Sequence, residues 1–314
     1  MSNILDEPLS TTPVKKKKGP GRPRKNPKKE PIPRKGISQT PTKADHVMET
    51  LYSVPIIWKK VLTFFRSLAT NQIQILFRPN DIILYGVDHF EKSKIRVRID
   101  ASKLNHYYCA EEINIGIMCK DLGLVLNKID KDYNSIILLS NKTNVRKFLE
   151  IILTNDIQID ESHVIDLIGT YDQMDNEDEF CDEDYTIKFD LPGKYFRKTI
   201  NDVKTISTQV SFIQEDKDMP FEIGYTSKNK KIRSTHTIKN NNKSRINFVE
   251  KLEEDESFRV DVKVDYIKPI SSSHIAEKIS ILVDENKRFM TKALLDNGTI
   301  EIKTLTEIIN DRPE

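Results

Sequence analysis

The sequence is poor in cysteine and glycine and has no long apolar run, and each shortage closes off a class of protein. Three cysteines in 314 residues, Cys109, Cys119 and Cys181, are too few and too scattered for a disulfide framework or a zinc knuckle. Cys109 and Cys119 read as small buried residues rather than nucleophiles. No stretch approaches the roughly 18 consecutive apolar residues of a membrane-spanning helix, so no membrane partner is expected. The opening MSNILDEPLS has acids and no apolar core, unlike a secretory signal. Ten glycines form neither a Gly-x-x-x-x-Gly-Lys-Ser/Thr loop nor a Gly-x-Gly-x-x-Gly turn, which leaves no visible nucleotide site. The histidines, His46, His89, His106, His163, His236 and His274, include no pair at helical ligand spacing. Asp81 and Asp88, at strand ends, are weak metal candidates. The expectation is a soluble, intracellular binding protein, not an enzyme, with no catalytic residue, metal or cofactor.

What is there is charge, unevenly placed. The formal net charge is +2, yet residues 1–45 carry twelve Lys and Arg against four Asp and Glu, a net +8, leaving −6 for residues 46–314. Eight of the fourteen prolines also fall in that first segment, whose composition buries too little surface to offset the entropy of ordering. Residues 1–45 therefore read as a disordered basic arm. Within it, Lys15–Lys18 lead into Gly19-Pro20-Gly21-Arg22-Pro23-Arg24-Lys25. The Gly-Arg-Pro core resembles an AT-hook, whose extended arginines enter the narrow minor groove of A·T-rich DNA. Arg22, Arg24 and Lys25 are the candidate DNA contacts. A nuclear-import address is the other reading of the same run.

The body alternates between helical and strand periodicity. Ile57, Val61, Phe64 and Leu68, widened by Trp58, Leu62 and Phe65, make an apolar stripe on a helix from Pro55 to about Ala69. Strands are expected at 72–77, 81–87, 93–99, 113–117, 135–140 and 147–153, with a short helix over 119–128. Residues 156–184 then hold twelve Asp and Glu and no Lys or Arg, around the island Val164-Ile165-Asp166-Leu167-Ile168, and read as a solvated linker. After it the plan restarts: a strand at 185–191, a basic helix over 193–206, strands at 210–214, 221–225, 232–238, 246–252 and 258–264, a short helix near 266–274, and strands at 279–283, 289–294 and 299–303. Both halves are strand-rich with two short helices each, although no residue-level repeat joins them. The domain plan is thus 1–45 arm, 46–155 first domain, 156–184 connecting loop, 185–310 second domain and 311–314 tail.

Lys59-Lys60-Val61-Leu62-Thr63-Phe64-Phe65-Arg66-Ser67-Leu68 resembles the first helix of sliding clamps of the PCNA type. Leu191-Pro192-Gly193 with Phe196, Lys198, Asp202 and Ile206 resembles the helix that opens the clamp's second domain, and Val264-Asp265-Tyr266 the start of its last inner helix. The arm, Arg34-Lys35-Gly36-Ile37 and Asn105-His106-Tyr107-Tyr108 are similar to the clamp-like proteins of asfarvirus-type large DNA viruses. The resemblance covers about residues 50–310. It implies an α+β DNA clamp fold, with antiparallel sheets outside and two short inner helices per domain, closed into a homotrimeric ring around double-stranded DNA. It also implies a processivity factor for a viral DNA polymerase and other peptide-motif partners in replication or repair. The setting would be a viral replication factory in the cytoplasm or nucleus of the host cell.

Carried over residue by residue, the resemblance makes Lys59, Lys60, Arg66, Lys120, Lys128, Lys194, Lys198, Lys204 and Lys268 DNA-facing. Sequence-independent phosphate contacts of this kind hold a duplex yet let a ring slide. Asn201 and Thr205 stand where the family has an arginine and a histidine. The resemblance also makes Val164, Ile165, Leu167 and Ile168 the apolar wall of a partner-peptide pocket; pinning the linker to the body is the alternative. The strand at 147–153 would be the subunit edge, pairing with the 232–238 region of a neighbour. Two other jobs remain open at this point: a clamp-derived viral transcription factor, and an architectural A·T-DNA binder acting through the arm.

Overall fold

The computed structural model describes residues 35–155, 157, 159–170, 177–182, 185, 187–215, 220–227, 232–238, 258–271, 276–283 and 288–307. The arm residues Arg22, Arg24 and Lys25, the expected strand at 246–252, His274 and the tail at 311–314 lie outside them. The first part of the chain runs β1 (His46–Tyr52), α1 (Ile56–Ser67), β2 (Gln72–Phe77), β3 (Asp81–Val87), β4 (Ser93–Asp100), β5 (His106–Cys109), β6 (Ile113–Met118), α2 (Cys119–Leu126), β7 (Tyr133–Asn141), β8 (Phe148–Asn155) and β9 (Asp160–Asp166). Then follow β10 (Ile187–Pro192), α3 (Gly193–Ile206), β11 (Gln209–Gln214), β12 (Phe221–Thr226), β13 (Arg233–Ile238), β14 (Phe258–Lys263), α4 (Val264–Ser271), β15 (Lys278–Val283), β16 (Arg288–Leu295) and β17 (Ile300–Glu307). The protein is α+β.

The strands form three sheets, β5-β1-β7-β8-β9, β10-β15-β16-β17-β4-β3-β2-β6 and β13-β12-β11-β14, every named ladder antiparallel. One order recurs. β1-β7-β8-β9 in the first sheet matches β10-β15-β16-β17 in the second, and β4-β3-β2-β6 matches β13-β12-β11-β14. The long sheet is therefore one unit of each kind, joined where β17 pairs with β4 from Ile300↔Ile99 to Thr306↔Ser93. Because that sheet runs through both halves, Ile32–Glu314 hold together as a single compact unit.

Alternation decides which side of each strand is covered. In β4, Ile95, Val97 and Ile99 are buried in the main core, while Lys94, Arg96 and Arg98 take the other face. The helices lie on the core side, sending Trp58, Leu62 and Phe65 from α1 and Phe196, Ile200 and Val203 from α3 into it. In the second half Phe189, Phe212, Phe221 and Phe289 pack together, with Phe189 and Phe221 ring centroids 4.3 Å apart and Phe212 5.3 Å from Phe289. Phe212 is fully buried, so Phe212→Ala should destabilise the body by about 3–5 kcal/mol, read as a fall in the denaturant midpoint at unchanged slope.

Three expectations are corrected. First, residues 35–45 are not part of a disordered arm. The Lys35 and Ser38 amides donate to the carbonyls of Asn105 (2.9 Å) and Tyr107 (2.6 Å), and the Tyr107 amide donates to Gly36 (3.0 Å). Gly36 has φ of 67°, and a Cβ there would sit 2.9 Å from the Ser102 carbonyl oxygen, so the close pass needs glycine. Second, the acidic 156–184 segment is not a solvated linker throughout. Its start is β9, laddered on β8 from Phe148↔Asp166 to Thr154↔Asp160, and residues 177–182 lie on the long sheet. Third, β8 is paired on both sides, by β7 and β9, so the edge on that side of the first sheet is β9 and not the strand at 147–153. β13 ends its sheet among the described residues.

Glu49 on β1 fastens the segment that leads into the strand. Its buried carboxylate accepts from the Thr42 amide (2.9 Å) and hydroxyl (2.7 Å), and meets His46 Nδ1 (2.5 Å) and His106 Nε2 (2.9 Å). Burial alone would raise its pKa, but the bonds from Thr42, His106 and His46 outweigh it and lower the group from 4.5 to about 2. A depressed carboxylate stabilises the fold above its unfolded value. That contribution, about 3 kcal/mol, should be lost as pH falls from about 4.5 through about 2, and Glu49→Gln should flatten this part of the pH–stability curve.

Candidate nucleic-acid interface

The four helices among the described residues form one layer: α1 packs between α2 and α4, and α4 packs in turn against α3. They carry nine Lys and Arg against three Asp, a net +6 on a body whose total is −6. Their uncovered faces concentrate positive charge, as a polyanion site requires.

The nine residues expected to face DNA, eight on the helices and Lys128 just past α2, do not share one state. Lys120, Lys194, Lys198 and Lys204 are exposed and Lys60 is half-buried, all without an ion-pair partner among the described residues. On α3, the buried stripe of Phe196, Thr199, Ile200 and Val203 leaves Lys194, Lys198, Asn201 and Thr205 on the opposite face, with Lys204 beside it. Lys128, just past α2, has its Nζ 3.8 Å from Glu161 on β9. The Tyr133 hydroxyl bond first, with Lys128 and His163 adding to it, holds the Glu161 carboxyl below its usual range against the opposing effect of desolvation. Lys268 is half-buried on α4 and has partners of its own.

Lys59 and Arg66 serve the helix layer itself. The Lys59 ammonium donates to the carbonyls of Asn127 (3.0 Å) and Ile129 (2.9 Å), capping the chain as it leaves α2. Arg66 reaches across α2, with Nη1 3.3 Å from Asn127 Oδ1. Its guanidinium fills the space over Gly123, where a Cβ would lie 1.8 Å from Nη2. Gly123 is thus the seat of Arg66, a role that helical periodicity does not reveal. Beside them Leu124 is 64% exposed among the polar neighbours Lys120, Asp121 and Asn127.

The four island residues do not form one wall. Val164 and Ile165 are neighbours on β9 and so face opposite ways: Val164 is 58% exposed, whereas Ile165 is in the core. The Leu167 amide donates to Lys147 O and the Ile168 amide to Gly116 O, both at 2.9 Å, tying the chain down beyond β9. This geometry favours the pinning alternative. For two thiols, burial acts first and raises Cys109 and Cys119 above the ordinary value, away from a nucleophilic thiolate.

No family model matches the chain. It is similar to the African swine fever virus protein named "Uncharacterized protein E301R". In the isolates Pig/Kenya/KEN-50/1950 and Warthog/Namibia/Wart80/1980 the identity is 26% over 304 residues, covering 93% of this chain and 98% of the relative. The same identity and coverage hold for the isolate Tick/Malawi/Lil 20-1/1983. These relatives are viral, which points to an infected host cell as the setting. Among the described residues no helix is long and apolar enough to cross a membrane.

Proposed function

We propose that this chain is the subunit of a sliding clamp: copies join head to tail into a ring around duplex DNA and tether a polymerase to it. One observation carries the reading. The β17–β4 seam joins a β1-β7-β8-β9-type unit to a β4-β3-β2-β6-type unit inside the chain. The counterparts of the two seam strands are β9 and β13, and both end their sheets among the described residues. A second copy offers β13 to β9 in the way β4 meets β17, so every copy closes one joint and opens another. Three copies close the ring under the family resemblance. Charge agrees, since β9 carries Asp160, Glu161 and Asp166 and the one formal charge on β13 is Arg233.

The helix layer supplies the other half of the mechanism. A net positive face binds phosphates without reading bases, and a closed ring keeps the polymerase on DNA by topology rather than by a tight site. The chain does no chemistry in this reading. The test is the native mass of the full chain by light scattering, together with product length in primer extension by the viral polymerase. Three subunits and longer products are expected. A strict monomer that leaves product length unchanged would sink the proposal.

A further inference from the structure

The seam inside the chain also dictates a register for the joint between copies, because the strands on either side of it recur. β8 and β16 are each eight residues long. Laid end on end they put Ala293 over Leu153, and hence their partners Ile302 and Glu161 over each other. β6 and β14 are each six residues long and each run straight into a helix. Followed outward through their ladders, they put Leu84 over Ile223, and hence Val97 over His236. In the seam Ile302 pairs with Val97 and Thr304 with Ile95. At the joint, therefore, Glu161 of one copy meets His236 of the next, and His163 meets Ser234.

Residue types support this register. It sets Ile159 against Ile238 and Ile165 against Ile232 at the two ends, and Ile159 and Ile232 are each 53% exposed in the single chain. Glu161 lies opposite Leu153 on β8 and His236 opposite Ile223 on β12, so both side chains turn to the helix side of the sheet. The Leu167 amide bonds toward β8, and by parity Glu161 turns its own backbone groups the same way. Glu161 and His236 thus form a non-hydrogen-bonded cross-strand pair, the kind whose side chains come closest. Beside them His163 Nε2 is enclosed, 3.6 Å from Glu161 and without a hydrogen-bond partner among the described residues. The Ser234 hydroxyl of the next copy supplies that partner.

Inside the chain the matching positions are the apolar pair Ile302 and Val97, and that seam stays shut. We infer that Glu161 and His236 of the next copy are the lock of the joint, and that protonation of His236 tightens it. The inference rests on the ring proposed above. Three groups face the Glu161 carboxylate: Lys128 beyond α2, Tyr133 on β7 and His163 on β9. They hold it in its charged form, as described above. His236 is faced by the Tyr225 ring on β12, stacked on it with centroids 5.8 Å apart. An imidazole ordinarily titrates near about pH 6.5. A carboxylate arriving from the next copy favours the protonated form. Its contribution to the joint is thus full below that pH and lost as the pH rises above it. His163 faces Glu161 in the single chain as well, so its titration moves the joint less.

The test is the assembly midpoint of the full chain, by light scattering over a concentration series at about pH 6 and about pH 8. The midpoint concentration should be about threefold or more higher at the upper pH. Glu161→Gln and His236→Gln should each remove that difference, and His163→Gln should keep it. A ring whose midpoint ignores pH, or a His236→Gln ring with the parent's pH response, overturns the lock and leaves the ring standing. A strict monomer at both pH values overturns the ring and the lock with it. If the parent stays assembled throughout the series, subunit exchange between two dye-labelled populations decides. Exchange should be faster at about pH 8 in the parent and independent of pH in His236→Gln. Parent exchange at one rate for both pH values overturns the lock.

Discussion

Val164→Pro should convert the proposed three-subunit ring into single subunits without unfolding them. The Leu167 amide donates to Lys147 just before β8, so by the register the odd-numbered positions of β9 turn their N–H and C=O groups toward β8. Asp160, Ser162, Val164 and Asp166 therefore turn theirs outward, to the open edge. On β13 the Ile232 carbonyl accepts from Ser227, which by the same parity leaves Arg233, Thr235 and Thr237 pointing outward. Proline at 164 removes one outward donor and puts a ring in the path of an incoming strand, yet breaks no bond to β8. The side chain is mostly exposed, so little packing goes with it. Light scattering should read one subunit, with a thermal midpoint far closer to the parent's than that of Phe212→Ala. Val164→Ala should keep the ring. A Val164→Pro chain that retains the parent's mass would place the joint elsewhere.

Replacing Lys194, Lys198 and Lys204 together by glutamate should abolish long products in primer extension and leave the native mass unchanged. All three are exposed on α3 and unpaired among the described residues, so reversal costs the fold little. Each phosphate interaction removed should lower the slope of log affinity against log salt by about 0.9. The loss of three such interactions would flatten it by about 2.7. Lys59→Ala should behave differently. Its ammonium is spent on the carbonyls that follow α2, so its removal should show in the thermal midpoint more than in the salt slope. A triple variant with the parent's salt slope would move the duplex away from these helices.

Much of the fold was legible because the body keeps clean periodicities. α1, β2, β3 and α3 fall where their apolar spacing places them. The misses gather in one sheet. β1 buries His46, Glu49 and Thr50 among its apolar residues, because Thr42 and His106 satisfy that carboxylate from outside the strand. No alternation survives such a pattern. β5 is four residues long, and β9 carries three acids within seven positions, so both read as loop. The acidic segment misled for a related reason: the lysines that neutralise Glu179 and Asp182 come from β4, β16 and β17, far off in sequence. At the candidate site the residue types were readable, but their division of labour was not. Whether a lysine faces solvent or caps a neighbouring helix depends on which helix lies beside it.

The β17–β4 seam also sets a timetable for folding. β4 ends at Asp100, and the strand that covers its outer edge begins at Ile300, roughly 200 residues downstream. During synthesis the β2–β3–β4 meander can form early, but its edge stays bare until nearly all of the second half has been made. A pairing so distant in sequence carries a high loop-closure cost and slows the final step. In that interval β4 is paired by β3 on one side only, and its outer edge is open to pairing with a foreign strand. A nascent chain thus carries one more exposed edge until its own last strand arrives, and Lys94, Arg96 and Arg98 give the waiting strand a charged face.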